Sequence, residues 1–128
     1  MLQGIHHAAI ICSDYERSRH FYVDILGLRV VAENFRAERN SWKLDLAVSE
    51  ESQIELFSFP DAPPRPNYPE AQGLRHLAFR VQDVEECAAT LKAADIPVED
   101  IRTDEFTGKR FVFFKDPDGL PLELYECD

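Results

Sequence analysis

The feature that most constrains this chain is that it repeats itself. Near the start it reads His7-Ala8-Ala9-Ile10-Ile11-Cys12-Ser13-Asp14, and 69 residues later His76-Leu77-Ala78-Phe79-Arg80-Val81-Gln82-Asp83. The shared pattern is His-x-Ala-apolar-x-x-x-Asp. A second pair follows almost in phase: Ile54-Glu55-Leu56-Phe57 and, 68 residues on, Leu122-Glu123-Leu124-Tyr125. Two matches in the same order and at nearly the same offset indicate a duplicated unit, and a repeat fixes the architecture before any single residue does.

Each half carries the same succession of signals. Residues 4–12 form an apolar run with β-branched members and read as a strand. Ser13-Asp14 supplies a helix N-cap, and Tyr15, Phe21, Tyr22, Ile25 and Leu26 continue at helical spacing until Gly27 supplies a stop. Strands are expected at about 28–35, 42–48 and 53–59. The second half predicts a strand at 74–81 and Asp83 as N-cap. A helix carrying Val84, Cys87, Ala88 and Leu91 on one face follows, with Pro97 beyond its end. Strands near 98–102, 110–114 and 121–126 complete it, the last two joined by the turn Asp116-Pro117-Asp118-Gly119. The expected class is therefore α+β, with two βαβββ modules at 1–60 and 73–128 in one domain. Five of the eight prolines fall between Pro60 and Pro69, so the 60–72 connector reads as stiff and extended.

Strand alternation groups the chemistry-bearing residues. His7 shares a face with Ile5, Ala9 and Ile11, and His76 with Leu74, Ala78 and Arg80. Glu55 shares a face with Gln53, Phe57 and Phe59, and Glu123 with Pro121, Tyr125 and Cys127. The opposite faces (Ala8, Ile10, Cys12; Ile54, Leu56; Leu77, Phe79, Val81; Leu122, Leu124) are apolar and suit packing under the two helices. A carboxylate inside Ile-Glu-Leu-Phe or Leu-Glu-Leu-Tyr needs charge compensation. Two of them at repeat-equivalent positions, each matched with an equivalent histidine, call for one shared cause. Duplication is expected to bring two imidazoles and two carboxylates to a common axis, a donor set for a divalent first-row ion with room for water. Because the set lacks thiolates, an open catalytic site is expected rather than a closed structural one. His6, expected to point away by alternation, and His20, on the helix, are left out of it.

Composition removes several alternatives. Fourteen Lys plus Arg against 24 Asp plus Glu leave a net charge of −10, which argues against a nucleic-acid partner. No apolar stretch approaches the length of a membrane span, and no signal peptide is visible at the start, so the expected compartment is the cytoplasm. Three scattered cysteines, Cys12, Cys87 and Cys127, with no C-x-x-C pair, read as free thiols.

With these residues in place, the chain resembles the vicinal oxygen chelate superfamily, which includes glyoxalase I, fosfomycin-resistance proteins, methylmalonyl-CoA epimerase and extradiol dioxygenases. The carriers are the early His-x-Ala-Ile strand, Ile54-Glu55-Leu56-Phe57, Leu74-Arg75-His76-Leu77-Ala78-Phe79 and the closing Asp116-Pro117-Asp118-Gly119-Leu120-Pro121-Leu122-Glu123-Leu124. Ser41-Trp42-Lys43 and Ile54–Pro60 are especially similar to small bacterial glyoxalase-like proteins. The resemblance spans nearly the whole chain. It implies a cupped mixed sheet made of paired βαβββ modules, and a nickel, zinc, manganese, cobalt or iron ion at His7, Glu55, His76 and Glu123.

Extradiol dioxygenases use two histidines and one carboxylate, whereas here a second carboxylate remains, as in glyoxalase I and the epimerase. The resemblance therefore points to a lyase or isomerase that abstracts a proton next to a carbonyl and steadies the enediolate on the metal, like lactoylglutathione lyase. Glu123 is the expected base and Glu55 its symmetric alternative. Bacterial glyoxalase I carries an arginine and an asparagine for glutathione where this chain has Ile11 and Phe59. Arg80 could hold an anion, and Phe57, Phe59 and Tyr125 could wall an apolar pocket for a small-molecule substrate. The alternatives are iron-dependent oxygen chemistry and sequestration of a small molecule such as an antibiotic. A homodimer is the expected assembly.

Overall fold

The computed structural model describes residues 1–128, which divide into two compact units, Met1–Pro64 and Arg65–Asp128. The division falls inside the proline-rich connector.

In the N-terminal unit, strand β1 (His7–Cys12) runs into Asp14, whose carboxylate accepts the Arg17 N–H and caps helix α1 (Tyr15–Arg19). From His20 to Ile25 the helix widens to π geometry, marked by Leu26 N–H reaching back to the Phe21 carbonyl. Gly27 ends it in the left-handed region at φ 76°, and Leu28 N–H closes onto the Tyr22 carbonyl. Strands β2 (Arg29–Arg36), β3 (Ser41–Ala47) and β4 (Gln53–Ser58) follow, giving the sheet order β1-β4-β3-β2. β1 lies parallel to β4; the other pairs are antiparallel.

The C-terminal unit repeats this plan. β5 (Leu77–Val81) leads to Asp83, which caps helix α2 (Val84–Ala93) by accepting the Glu86 N–H. Asp95, at φ 62°, supplies the left-handed residue just beyond the helix, a conformation Asp tolerates better than most side chains. β6 (Arg102–Thr103), β7 (Arg110–Lys115) and β8 (Pro121–Glu126) complete a sheet of order β5-β8-β7-β6, with β5 parallel to β8. Each unit is thus βαβββ, as the repeat predicts.

The inner faces are as apolar as the alternation requires. Leu44, Leu46, Ile54 and Leu56 are at most 1% exposed, as are Val84, Val112 and Leu122. Each such burial stabilises by roughly 1.5–3 kcal/mol. Outside the core, an arginine holds a strand carboxylate beside the helix in each unit. Arg19 and Tyr15 both donate to Glu33, and their hydrogen bonds hold the Glu33 carboxyl below its usual range, Arg19 contributing most. The Arg110 guanidinium does the same for Glu126, which also accepts the Val84 N–H.

Three expected boundaries shift. β1 begins at His7 rather than residue 4, because its ladder partner begins at Gln53, opposite His7. β5 begins at Leu77 rather than 74; its partner opens with Pro121, which has no N–H to donate. The strand expected at 98–102 is reduced to Arg102–Thr103, with Val98 making a lone bridge to Phe114. Pro97, Glu99 and Asp100 favour a sheet poorly.

Candidate metal centre

Register decides what each histidine can reach. In the N-terminal unit Ala9 is the Cα partner of Glu55, and His7 stands two residues earlier on the same face. In the C-terminal unit Ala78 is the partner of Glu123, with His76 again two residues earlier. The imidazole therefore approaches its glutamate on a diagonal, across a neighbour that is alanine both times. A methyl group there leaves the diagonal open, which gives the His-x-Ala motif a physical reason.

The diagonals close to contact. His7 Nδ1 lies 3.5 Å from a Glu55 carboxylate oxygen, and His76 Nε2 lies 3.0 Å from one of Glu123. Two ligands in neighbouring positions around an ion with bonds of about 2.0–2.2 Å stand roughly 3.0–3.5 Å apart, so both separations suit shared coordination. A further observation fits a cation at the second pair. Glu123 is only 8% exposed, and its ion-pair partner is the His76 imidazole rather than a lysine or arginine. The other His76 nitrogen, Nδ1, is buried with no hydrogen-bond partner. A buried carboxylate compensated by an imidazole alone is an arrangement that a divalent ion would relieve. Each unit supplies two donors, and no group of three His, Cys, Asp or Glu side chains suited to a metal forms.

The remaining expected residues occupy varied places. Phe57 and Phe59 stack with centroids 5.8 Å apart on the Glu55 face. Ile11 is 54% exposed beside Phe57 in the ladder. Arg80 is exposed and faces Tyr125 across β5–β8. The Tyr125 hydroxyl donates to Asp104 at 2.9 Å and also meets the Thr107 hydroxyl, so its ring is held by the β6–β7 loop. No disulfide joins the cysteines; Cys12 is buried, and burial raises Cys87 above the usual thiol value, with Glu86 and Asp83 adding to it. Neither pattern suits a nucleophile.

Several neighbours carry little or no signal in the sequence. Alternation turns His6 away from the site, yet its Nδ1 lies 2.9 Å from His7 Nδ1. It precedes β1, where strand alternation no longer governs direction. Lys43 Nζ lies 2.6 Å from Asp45 and 3.9 Å from Glu55, and sits 6.0 Å from the Phe57 centroid. Arg36 covers Phe57 and Phe59 at 4.9 and 5.6 Å, and Arg39 covers Phe59 at 5.1 Å. Arg102 lies over Phe111 and Phe113 at 5.1 and 5.6 Å. Only Lys43 and Asp45 had a hint to offer, their shared parity in β3; the arginines have no periodic pattern.

Residues 4–124 match the Glyoxalase/Bleomycin resistance protein/Dioxygenase superfamily, and the chain belongs to it. It is 58% identical over 126 residues to the uncharacterized protein YwkD of Bacillus subtilis, covering 98% of each chain. It is 55% identical over 125 residues to YaeR of Escherichia coli, covering 98% of this chain and 97% of that one. A solved glyoxalase family protein from Enterococcus faecalis superposes with a TM-score of 0.89 at 51% identity, over 97% of this chain and 98% of the other. Further off, metallothiol transferase FosB of Staphylococcus saprophyticus is 30% identical over 98% of this chain and 78% of its own length. The trypanothione-dependent glyoxalase I of Leishmania major superposes with a TM-score of 0.76 at 29% identity, over 98% and 87% of the chains.

Proposed function

We propose that the chain is a metal-dependent lyase or isomerase of glyoxalase type, acting on an α-hydroxy or α-keto carbonyl compound. His7, Glu55, His76 and Glu123 would hold the divalent ion. Bound there, the ion would act as a Lewis acid on two neighbouring substrate oxygens. The observation that carries the reading is the repeated His–Glu diagonal, which supplies a second carboxylate in addition to the two imidazoles. A carboxylate beside the substrate can take the proton from the carbon next to the carbonyl and return it to the adjacent carbon. Glu123 is the better placed for this. It is buried, lies opposite Phe113 in the β7–β8 ladder, and has no lysine partner, whereas Glu55 has Lys43 near it. The likeness to glyoxalase I and to a metallothiol transferase supports metal chemistry in general. Ile11 and Phe59 provide neither charge nor an amide for a glutathione carrier, so a smaller substrate fits better.

Elemental analysis of the purified protein, followed by α-deuterium exchange in D2O with hemithioacetals, acyl-CoAs and α-hydroxy acids, tests the reading. It expects metal-dependent exchange that Glu123→Gln abolishes while the fold persists. Oxygen uptake with Fe²⁺ and a catechol, or tight ligand retention without exchange in any metal form, would overturn it.

A further inference from the structure

Beside His76, the C-terminal unit holds a cavity of about 460 Å³. One wall is the 65–75 segment, fastened where Arg65 donates to Asn67 Oδ1 at 2.6 Å and Asn67 Nδ2 donates to the Gly119 carbonyl at 2.8 Å. The other wall is the sheet, through Phe113, Lys115 and Arg102.

The charge of this lining runs against that of the chain. Arg65, Arg75, Arg102 and Lys115 face it with only Glu70 and Glu99 in opposition, on a molecule of net charge −10. Of the two carboxylates, Glu70 is paired with Arg75 at 3.1 Å, while Glu99 reaches Arg102 only at 3.9 Å. Arg102 is also the cation held in place, its guanidinium lying over Phe111 and Phe113. Phe113 in turn meets His76 edge to face at 4.9 Å. An arginine stacked on rings is pre-organised for an oxyanion and loses little freedom on binding one.

We propose that this cavity is an oxyanion subsite that seats a carboxylate or phosphate group of the substrate on Arg102, with Lys115 as second cation, while the reacting end of the same molecule faces His76 and Glu123. The inference rests on the metal-centre reading of that pair and names the substrate class it takes: small α-hydroxy or α-keto compounds bearing a second anionic group.

Calorimetric titration of the full chain, metal-loaded and metal-free, tests this with four probes: lactate and glycerate, which have no second anion, and malate and 3-phosphoglycerate, which keep the α-hydroxy acid and add a carboxylate or a phosphate. At least one of the latter two is expected to bind about tenfold or more tightly than lactate. Arg102→Ala should erase that preference and Arg102→Lys restore part of it. Which of malate and 3-phosphoglycerate gains identifies the group. Equal affinities for all four probes, or a preference that survives Arg102→Ala, would overturn the subsite. Arg102-dependent preference with no α-hydrogen exchange in any metal form would sink the lyase reading and leave the subsite standing; exchange without such preference would do the reverse.

Discussion

In the N-terminal unit, Glu55 shares its face with Asp45 and Lys43, and the lysine bridges to both carboxylates at 2.6 and 3.9 Å. In the C-terminal unit the positions related by the repeat are Phe113 and Phe111, and Glu123 has an imidazole at 3.0 Å and no lysine. The strand order and the His–Glu diagonal are the same in both. Duplication thus preserved the register that makes a His–Glu pair and let the side chains around it diverge, one toward charge and the other toward aromatic rings. On the proposed function the first half anchors the cation and the second also moves the proton.

The comparison breaks most sharply at the two glutamates. Glu123→Gln is expected to slow α-hydrogen exchange by about 10³-fold or more, and Glu55→Gln by about tenfold to a hundredfold. Rates measured by NMR in D2O check this; equal losses would mean that the divergence around the two pairs has no chemical consequence. Next come the alanines. Ala78→Leu and Ala9→Leu should each crowd the diagonal and weaken metal binding by about 10–100-fold, the range seen when a ligand's support is disturbed. Competition with a chelator reads the affinity, and unchanged affinity in both variants would show that the small residue of His-x-Ala does not keep the diagonal open.

A smaller effect concerns the turn that leads into β8. Asp116 Oδ1 accepts from Asp118 N–H and Leu120 N–H, both at 2.9 Å, and the residue is 5% exposed. Asp116→Ala leaves two donors without that partner and should lower stability by about 1–3 kcal/mol in urea unfolding. The smallest effect is shared by both units. The Glu33 and Glu126 carboxyls are held below their unfolded value of about 4.3, so their contribution is present above that pH and fades as acid takes pH down through the folded values. Arg19→Ala and Arg110→Ala should flatten the acid limb of the stability–pH curve, each in its own unit.

Much of this is legible in the chain. The duplication announces βαβββ twice, Asp14 and Asp83 are visible caps, and Gly27 is a visible stop. Alternation sorts Ile54 and Leu56 from Glu55, and their burial agrees with it. What is not legible lies outside periodicity. The short β6 is obscured because Pro97 and the acids after it interrupt an otherwise apolar stretch. His6 departs from expectation because alternation ends where the strand does. Lys43 and Arg102 reach their places across strand pairings that a linear pattern does not specify, and the cavity depends on how residues 65–75 settle against the β7–β8 turn.

The parallel pairing of β1 with β4, and of β5 with β8, carries one more consequence. Partners in each His–Glu pair sit side by side in space although a helix and a hairpin separate them along the chain. Lengthening or shortening that excursion leaves the donors where they are, provided the two strands keep their pairing. Loops at its turns are therefore free to change around the pair in descendants of this scaffold without disturbing the imidazole and carboxylate that meet across the two strands.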